Sequence, residues 1–364
     1  MILLYALASI ALINCLYYLL FSKFAFAQPA ETIATKSYPV SVLICAKNEA
    51  ENLLENIPLI LAQEYPSFEL ILINDASSDN TLEIMEQFAN SDTRIKLVNV
   101  KNNEAFWGNK KYALTLGIKK ANNKRMLFTD ADCKPASNQW LREMSAFLDV
   151  DIHIVLGYGA YQKQKGILNS LIRFETLLTA TQYFAYAKAG IPYMGVGRNL
   201  AYTSKLYYDN NGFMSHIQLP SGDDDLFINE TATNQNTAIC YSESSFTISK
   251  PKTSFKSWIH QKRRHITTAK LYKPKHKFLL GLYYIANLLF WILLPICFAL
   301  VSWKITLAIV AIRILLQYVV LGKAAQKLKE NNLIPFTPLL ELFLICIQLS
   351  IFIFNSSAKP TRWK

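Results

Sequence analysis

Two carboxylates one residue apart close a short apolar run in Met126-Leu127-Phe128-Thr129-Asp130-Ala131-Asp132-Cys133-Lys134. Acidic side chains at that spacing suit either a solvated turn or a hard divalent cation. Mg²⁺ and Mn²⁺ prefer oxygen ligands and commonly combine one or two carboxylates with phosphate oxygens. Two more polar clusters follow β-prone runs upstream: Lys47-Asn48-Glu49, and Asn74-Asp75-Ala76-Ser77-Ser78-Asp79. Together the three clusters fit a nucleotide. A carboxylate can accept from a base N–H or a ribose hydroxyl while a metal neutralises a diphosphate. The chain contains neither a P-loop nor a G-x-G-x-x-G segment, so a glycine-rich cradle is not what would hold phosphate. Further on, Ser221-Gly222-Asp223-Asp224-Asp225-Leu226 sets three carboxylates in succession. They repel one another, although a helix N-terminus offsets part of that, and a capped or solvated turn is the plain alternative.

The elements that must position these groups alternate in type. Val40–Cys45, Phe68–Ile73, Lys96–Val100, Arg125–Thr129 and Ile152–Leu156 read as strands. Between them a helix opens at Asn48-Glu49 and runs to Leu61, and Ser77–Ala89, Asn109–Lys120 and Gln139–Leu148 read as further helices. Such alternation predicts an α/β fold with a mainly parallel, Rossmann-like sheet covered by helices. The residues that follow each strand then gather along one sheet edge, where ligands of open α/β sheets bind.

Three segments carry a family resemblance: Val42-Leu43-Ile44-Cys45-Ala46-Lys47-Asn48-Glu49, Ile73-Asn74-Asp75-Ala76-Ser77-Ser78-Asp79 and Thr129-Asp130-Ala131-Asp132. In that order they resemble family-2 glycosyltransferases with the GT-A (nucleotide-diphospho-sugar transferase) fold. The resemblance implies that Glu49 and Asp75 belong to the donor site, with Asp75 on the uracil. It puts Asp130 on the ribose or diphosphate and Asp132 on the metal, Mg²⁺ or Mn²⁺. Lys110, in Gly108-Asn109-Lys110-Lys111-Tyr112-Ala113-Leu114, matches a lysine near the nucleotide. Lys111 is the alternative, and a solvated helix face is the plain reading of the pair. Gly195-Val196-Gly197-Arg198-Asn199 resembles the segment beside the acceptor, with Asn199 in it, although its glycines also suit an ordinary turn. In the acidic triplet the resemblance implies a general base on the acceptor hydroxyl. Asp224 is the first choice, and Asp223 remains open because the run tolerates a one-residue shift. Direct displacement from that base would invert the anomeric centre.

Ser257-Trp258-Ile259-His260-Gln261-Lys262-Arg263-Arg264-His265 is similar to the Q-x-x-R-W signature of membrane-bound members. It supplies Gln261 and Arg264 for acceptor and diphosphate, and His265 stands where the family has Trp. That departure weakens the expectation of a processive polymerase. The same segment also reads as a basic amphipathic helix on lipid headgroups.

The ends of the chain are apolar. Met1–Ser22 has no charged side chain and is long enough to cross a hydrocarbon core of about 30 Å. An anchor fits it better than a cleaved signal peptide, because no Lys or Arg precedes the run. Lys23 and Lys36 follow it, which puts the next domain in the cytoplasm by the positive-inside rule. Phe278–Val301 is a further uncharged span, and Ile305–Gly322 and Pro335–Phe354 are spans interrupted by Arg313 and Glu341. A charge at mid-span must face the bundle interior, so Arg313 is expected to pair with Glu341 or to hold a lipid phosphate. Lys359, Arg362 and Lys364 fall on the outer side if the last segment crosses, which makes a re-entrant segment the alternative. Ile167–Lys188 is apolar and aromatic, reading as a buried helix or a membrane-facing acceptor groove.

The expected organisation is an anchor (1–22), a cytoplasmic GT-A domain (38–250), a basic interfacial segment (251–277) and a membrane region (278–354), in a bacterial inner membrane. The expected reaction moves a sugar, most simply UDP-linked, to a membrane lipid or lipid-linked acceptor. Its rivals are a polysaccharide synthase and an inactive membrane scaffold. The net charge of +12 lies beside apolar spans and no binding module accompanies it, which argues against a nucleic-acid partner. Six cysteines without a C-x-x-C pair argue against a disulfide framework or a zinc site.

Overall fold

The computed structural model of the protein describes residues 1–28, 37–101, 110–219 and 221–357. Asn109, where a helix is expected to begin, and Lys36, Lys359, Arg362 and Lys364 lie outside the described residues. Helix α1 (Ile2–Ala25) is followed by β1 (Val40–Ala46), α2 (Ala50–Leu61), β2 (Phe68–Asp75), α3 (Thr81–Ser91), β3 (Ile95–Val100), α4 (Lys110–Lys120) and β4 (Arg125–Phe128). Next come β5 (Cys133–Pro135), α5 (Trp140–Ser145), β6 (Ile154–Leu156), β7 (Gly159–Tyr161), α6 (Ile167–Lys188), β8 (Leu200–Thr203) and α7 (Ser204–Asp209). The described chain then runs through α8 (Asp225–Thr231), β9 (Thr237–Ile239), β10 (Thr247–Ser249), α9 (Phe255–His265), α10 (Pro274–Leu300), α11 (Trp303–Lys327) and α12 (Thr337–Ser357).

These elements form two compact units. One comprises Pro29–Gln162 and Gly190–Pro251 and carries the carboxylates. Its main sheet runs β3-β2-β1-β4-β8-β6-β9. The β1, β2, β3 and β4 strands are parallel, β8 is antiparallel to both its neighbours, and β6 and β9 are parallel. Every residue of β1 and β2 is buried, as apolar strands covered on both faces must be. The chain leaves β1 toward β2 on one side and meets β4 on the other, so a switch of direction falls between β1 and β4. Their register pairs Ala46 with Asn74 across β1–β2 and Leu43 with Phe128 across β1–β4. Asp75 therefore ends, and Lys47 and Asp130 follow, strands that are neighbours in the sheet. A second sheet, β5-β10-β7, flanks the same unit.

Helix α3 begins at Thr81 and not at Ser77, because the intervening polar residues are spent as loop acceptors. Ser77 N donates to Asn74 Oδ1 (3.2 Å), Asn48 N donates to Ser77 Oγ (3.1 Å), and Thr81 N donates to Asp79 Oδ1 (3.1 Å). Side chains of this kind compete with helix formation by offering the backbone local partners.

The other unit comprises Met1–Gln28, Lys163–Ala189 and Lys252–Pro360. Four of its helical segments, α1, α10, α11 and Asn331–Asn355, which takes in most of α12, are long and apolar enough to cross a membrane. Helix α6, which the sequence places inside the 38–250 domain, groups with them. Phe184 of α6 lies 4.9 Å from Phe24 of α1 between ring centroids, and Arg173 donates to Glu330 and to Asn332 Oδ1. Arg313 is fully buried and pairs with Glu341, Nη2 to Oε2 at 2.6 Å. Its Nη2 also donates to Asn287 Oδ1 (2.8 Å) and its Nη1 to Gln317 Oε1 (3.0 Å). Glu341 accepts further bonds from Tyr18 OH and Trp291 Nε1, both at 3.1 Å. One charge pair thus ties α1, α10, α11 and α12 together. Buried charges persist only when paired and hydrogen-bonded, and removing one partner of such a pair costs about 3–5 kcal/mol. Arg313→Leu is expected to lower the thermal midpoint of the protein in lipid nanodiscs markedly, and Arg313→Leu/Glu341→Leu to lower it less. A single variant that melts with the wild type would show that the pair does not hold the helices.

Candidate active site

The start of α4 brings two adjacent lysines over the edge of the sheet, and both are buried. Lys110 Nζ lies 2.8 Å from Asp130 Oδ1, just past β4, and 3.0 Å from Asp223 Oδ2, just before α8. Burial opposes the charge of Lys110, but Asp130, Asp223 and Asp224 outweigh it and hold the ammonium well above its ordinary pKa. Lys111 turns away from these carboxylates. Its ammonium donates to the backbone carbonyls of Leu219 and Ser221, both at 2.7 Å. The pair is therefore not a solvated helix face, and the two lysines do different work.

Asp224 sits in the tightest part of the cluster. Its Oδ2 accepts from Gly197 N at 2.7 Å and its Oδ1 from Asp225 N at 2.8 Å. Burial, then the charges of Asp223 and Asp225, raise its pKa to about 7, with Lys110 and the Gly197 N–H acting in the opposite direction. A Cβ on Gly197 would lie 3.3 Å from Asp224 Oδ2, so the small residue lets the backbone approach the carboxylate. Asp130, Gly197, Asp223 and Asp224 line one cleft, with Leu43, Phe128 and Tyr202 behind them.

Asp130, Asp132 and Cys133 bring possible ligand atoms within 4.8 Å of one another. Burial and the neighbouring charges of Asp130 and Glu49 raise the pKa of Asp132. Two carboxylates that disfavour each other's charge fit a divalent cation, which would stabilise both. Cys133 does not belong to such a donor set. Its Sγ lies 2.9 Å from Ser249 Oγ, and burial pushes the thiol well above its ordinary pKa, leaving it protonated and soft beside a hard cation.

Asp75 ends β2 with 4% of its surface exposed, and its buried Oδ2 has no hydrogen-bond partner. Burial raises its pKa against the pull of Lys47 and Lys110. A buried acceptor left open calls for a donor from a ligand. Glu49 is half-buried, its amide bonded to Thr81 Oγ1 (2.8 Å) and its Oε2 accepting from Asn52 Nδ2 (2.6 Å). The Lys47–Glu49 turn and the Asn74–Asp79 loop are stitched together by Asn48, whose Oδ1 accepts from Ser78 N at 2.8 Å.

Asn199 corrects the sequence reading. Its side chain is fully buried and its amide is used up inside the domain. Nδ2 donates to Tyr158 O (3.0 Å) and Ser245 O (2.7 Å), and Oδ1 accepts from Trp140 Nε1 (3.0 Å). Both N–H hydrogens are spent and the side chain is 0% exposed, so Asn199 locks the segment instead of facing a sugar. The neighbour that the sequence reading passed over is Arg198. Its guanidinium carbon lies 4.3 Å from the centroid of the Tyr161 ring; burial opposes its charge, but Tyr161, Cys133, Asp132 and Asp130 outweigh it and hold its pKa above the ordinary value. Its place in the Gly-Val-Gly-Arg-Asn segment is the sequence signal for it. Gln261 and Arg264 lie on α9, in the other unit. That helix is capped by Ser254, whose Oγ accepts from Ser257 N at 3.2 Å, and Lys262 pairs with Glu175 of α6 at 2.6 Å.

A switch-point cleft on an α/β sheet is where ligands of such sheets bind. The mannosyltransferase of Pyrobaculum calidifontis, solved with GDP-Man and Mn²⁺, superposes with a TM-score of 0.58 over 93% of this chain and 99% of its own, at 18% identity. Residues 41–198 match the family model for glycosyl transferase family 2. Over 138 residues the chain is 33% identical to an uncharacterized glycosyltransferase of Haemophilus influenzae, covering 36% of this chain and 40% of that protein. Over 93 residues it is 38% identical to the poly-beta-1,6-N-acetyl-D-glucosamine synthase of Staphylococcus epidermidis, covering 26% and 21%. The matched segments thus span well under half of each curated relative. The chain thus has the GT-A fold of that mannosyltransferase, and residues 41–198 are similar to glycosyl transferase family 2.

Removing the Lys110 ammonium leaves Asp130, Asp223 and Asp224 without their shared cation. Protonation relieves that repulsion, so Lys110→Met is expected to destabilise the protein more at pH 8 than at pH 5 in metal-free buffer. Denaturant titrations at the two pH values check this. Equal losses at both would show that the lysine does not compensate the cluster.

Proposed function

We propose that the protein transfers a sugar from a nucleotide diphosphosugar, UDP-linked in the simplest case, to a membrane lipid or lipid-linked acceptor, with inversion at the anomeric carbon. The observation that carries the reading is the carboxylate of Asp224, raised to about 7, in one cleft with Asp130, Gly197 and Asp223. A general base works best when its pKa lies near the working pH. The acceptor oxygen attacks the anomeric carbon, its proton passes to Asp224, and the bond to the diphosphate breaks with its electron pair on the leaving oxygen. Asp75 takes the base or ribose through its open Oδ2, with Glu49 beside the donor. Lys110 and Asp130 flank the ribose and diphosphate. Asp130 and Asp132 would hold Mg²⁺ or Mn²⁺, which supplies charge neutralisation for the leaving diphosphate. Asp223 is the alternative base, but its carboxylate is already paired with Lys110.

The GT-A mannosyltransferase was solved with GDP-Man and Mn²⁺, which supports a nucleotide-sugar donor and a divalent ion here. Four helices able to cross a membrane, with Lys273, Lys275 and Lys277 at the start of α10, support a membrane-held acceptor and a cytoplasmic catalytic unit. Gln261 and Arg264 are assigned to acceptor and diphosphate on the sequence motif. Elongation of a glycan is the second reading, favoured by the match to a poly-N-acetylglucosamine synthase.

The test measures nucleotide diphosphate release from a panel of UDP-sugars and GDP-mannose by the full chain in native lipid extract. One donor should be turned over with Mn²⁺ and not with EDTA, and Asp224→Asn should slow release about 10²–10⁴-fold. Undiminished release by Asp224→Asn would overturn the base assignment, and a ladder of products in place of a single adduct would select glycan elongation.

A further inference from the structure

Helix α4 meets the acidic loop before α8 twice. Lys110 reaches the side chain of Asp223, and Lys111 reaches the main chain behind it. Lys111 is 1% exposed, and its ammonium points at the carbonyls of Leu219 and Ser221 instead of at any carboxylate. The next carbonyl, that of Gly222, is met by His216 Nε2 at 2.9 Å. A carbonyl only accepts, so Nε2 carries a ring hydrogen, while Nδ1 lies 2.8 Å from Ser215 Oγ, whose hydroxyl donates to Glu230. Gly222 then turns the chain with φ +104°, a conformation that favours glycine, and a Cβ there would lie 2.6 Å from Leu226 Cδ1. After that turn Asp223 faces Lys110 and Asp224 faces Gly197. A buried ammonium with backbone carbonyls as its named partners is an expensive device if its only purpose is packing, since an apolar side chain would fill the same space.

We propose that Lys111 and His216 form a main-chain clasp that positions Asp224 for proton transfer, Lys111 acting as a positioning residue and not as a contact to the nucleotide. The inference rests on Asp224 being the proton acceptor. Adjacent lysines on one rigid turn then link the donor-side carboxylate Asp130 to the backbone of the loop that presents the base. A shift of the base by roughly 1 Å costs on the order of 10²-fold in rate, whereas donor affinity resides in groups that the clasp does not touch.

The experiment compares wild type, Lys111→Met, His216→Ala and Asp224→Asn in native lipid extract, measuring kcat, donor KM and the affinity for the nucleoside diphosphate by titration. Lys111→Met is expected to lose kcat by about 10–100-fold while donor KM and diphosphate affinity stay within about twofold, and His216→Ala to show the same split to a smaller degree. Unchanged kcat in Lys111→Met overturns the clasp. So does a parallel loss of kcat and diphosphate affinity, which would make Lys111 a general element of the fold. Full activity in Asp224→Asn removes the base assignment itself, whereas a dead Asp224→Asn beside a fully active Lys111→Met removes the clasp alone.

Discussion

Carboxylates that repel one another can share a buried cleft only if something positive stands between them. In this protein that is the ammonium of Lys110, between Asp130 Oδ1 and Asp223 Oδ2. The remainder of the catalytic unit serves that arrangement. Parallel β1, β2 and β4 end together and bring Asp75 and Asp130 to one edge, α4 sets its first turn above them, and the loop into α8 returns Asp223 and Asp224 from far along the chain. The compensation is incomplete at Asp224, where burial and like charges outweigh Lys110 and leave a carboxylate that titrates near 7.

Much of this was legible because local chemistry leaves local traces. The strands β1, β2 and β4 are uninterrupted apolar runs that stop at polar residues, and a parallel sheet turns such stops into a shared edge. The order of the polar clusters therefore placed Asp75, Asp130 and Asp132 without any knowledge of distances. What stayed hidden depends on which way a side chain turns. Asn199 reads as an amide beside the acceptor in a glycine-rich segment, but packing buries it and spends its N–H hydrogens on Tyr158 and Ser245, with its oxygen accepting from Trp140. Lys110 and Lys111 are identical in type and adjacent in sequence, and only the phase of α4 decides which reaches a carboxylate and which a main-chain carbonyl.

The unit of apolar helices follows the same rule of charge compensation in a different setting. Arg313 and Glu341 interrupt two spans, a pattern that hydrocarbon tolerates only when the charges meet inside the bundle. They do meet, and Asn287, Gln317, Tyr18 and Trp291 add hydrogen bonds to the pair. Here compensation is close to complete and the pair acts as a fastener. Helix α6 joined this unit because its face is aromatic and apolar, a feature compatible from sequence with either unit.

The pH dependence of single-turnover transfer tests the central assignment most directly. In the wild type the rate should rise through a limb near pH 7 as Asp224 loses its proton, since the unprotonated carboxylate is the form that accepts the proton of the acceptor. Asp223→Asn removes a neighbouring negative charge that raises the pKa of Asp224, so its limb should move to lower pH, and Asp224→Asn should show no such limb. A limb that stays in place in Asp223→Asn, or that persists in Asp224→Asn, would contradict the account.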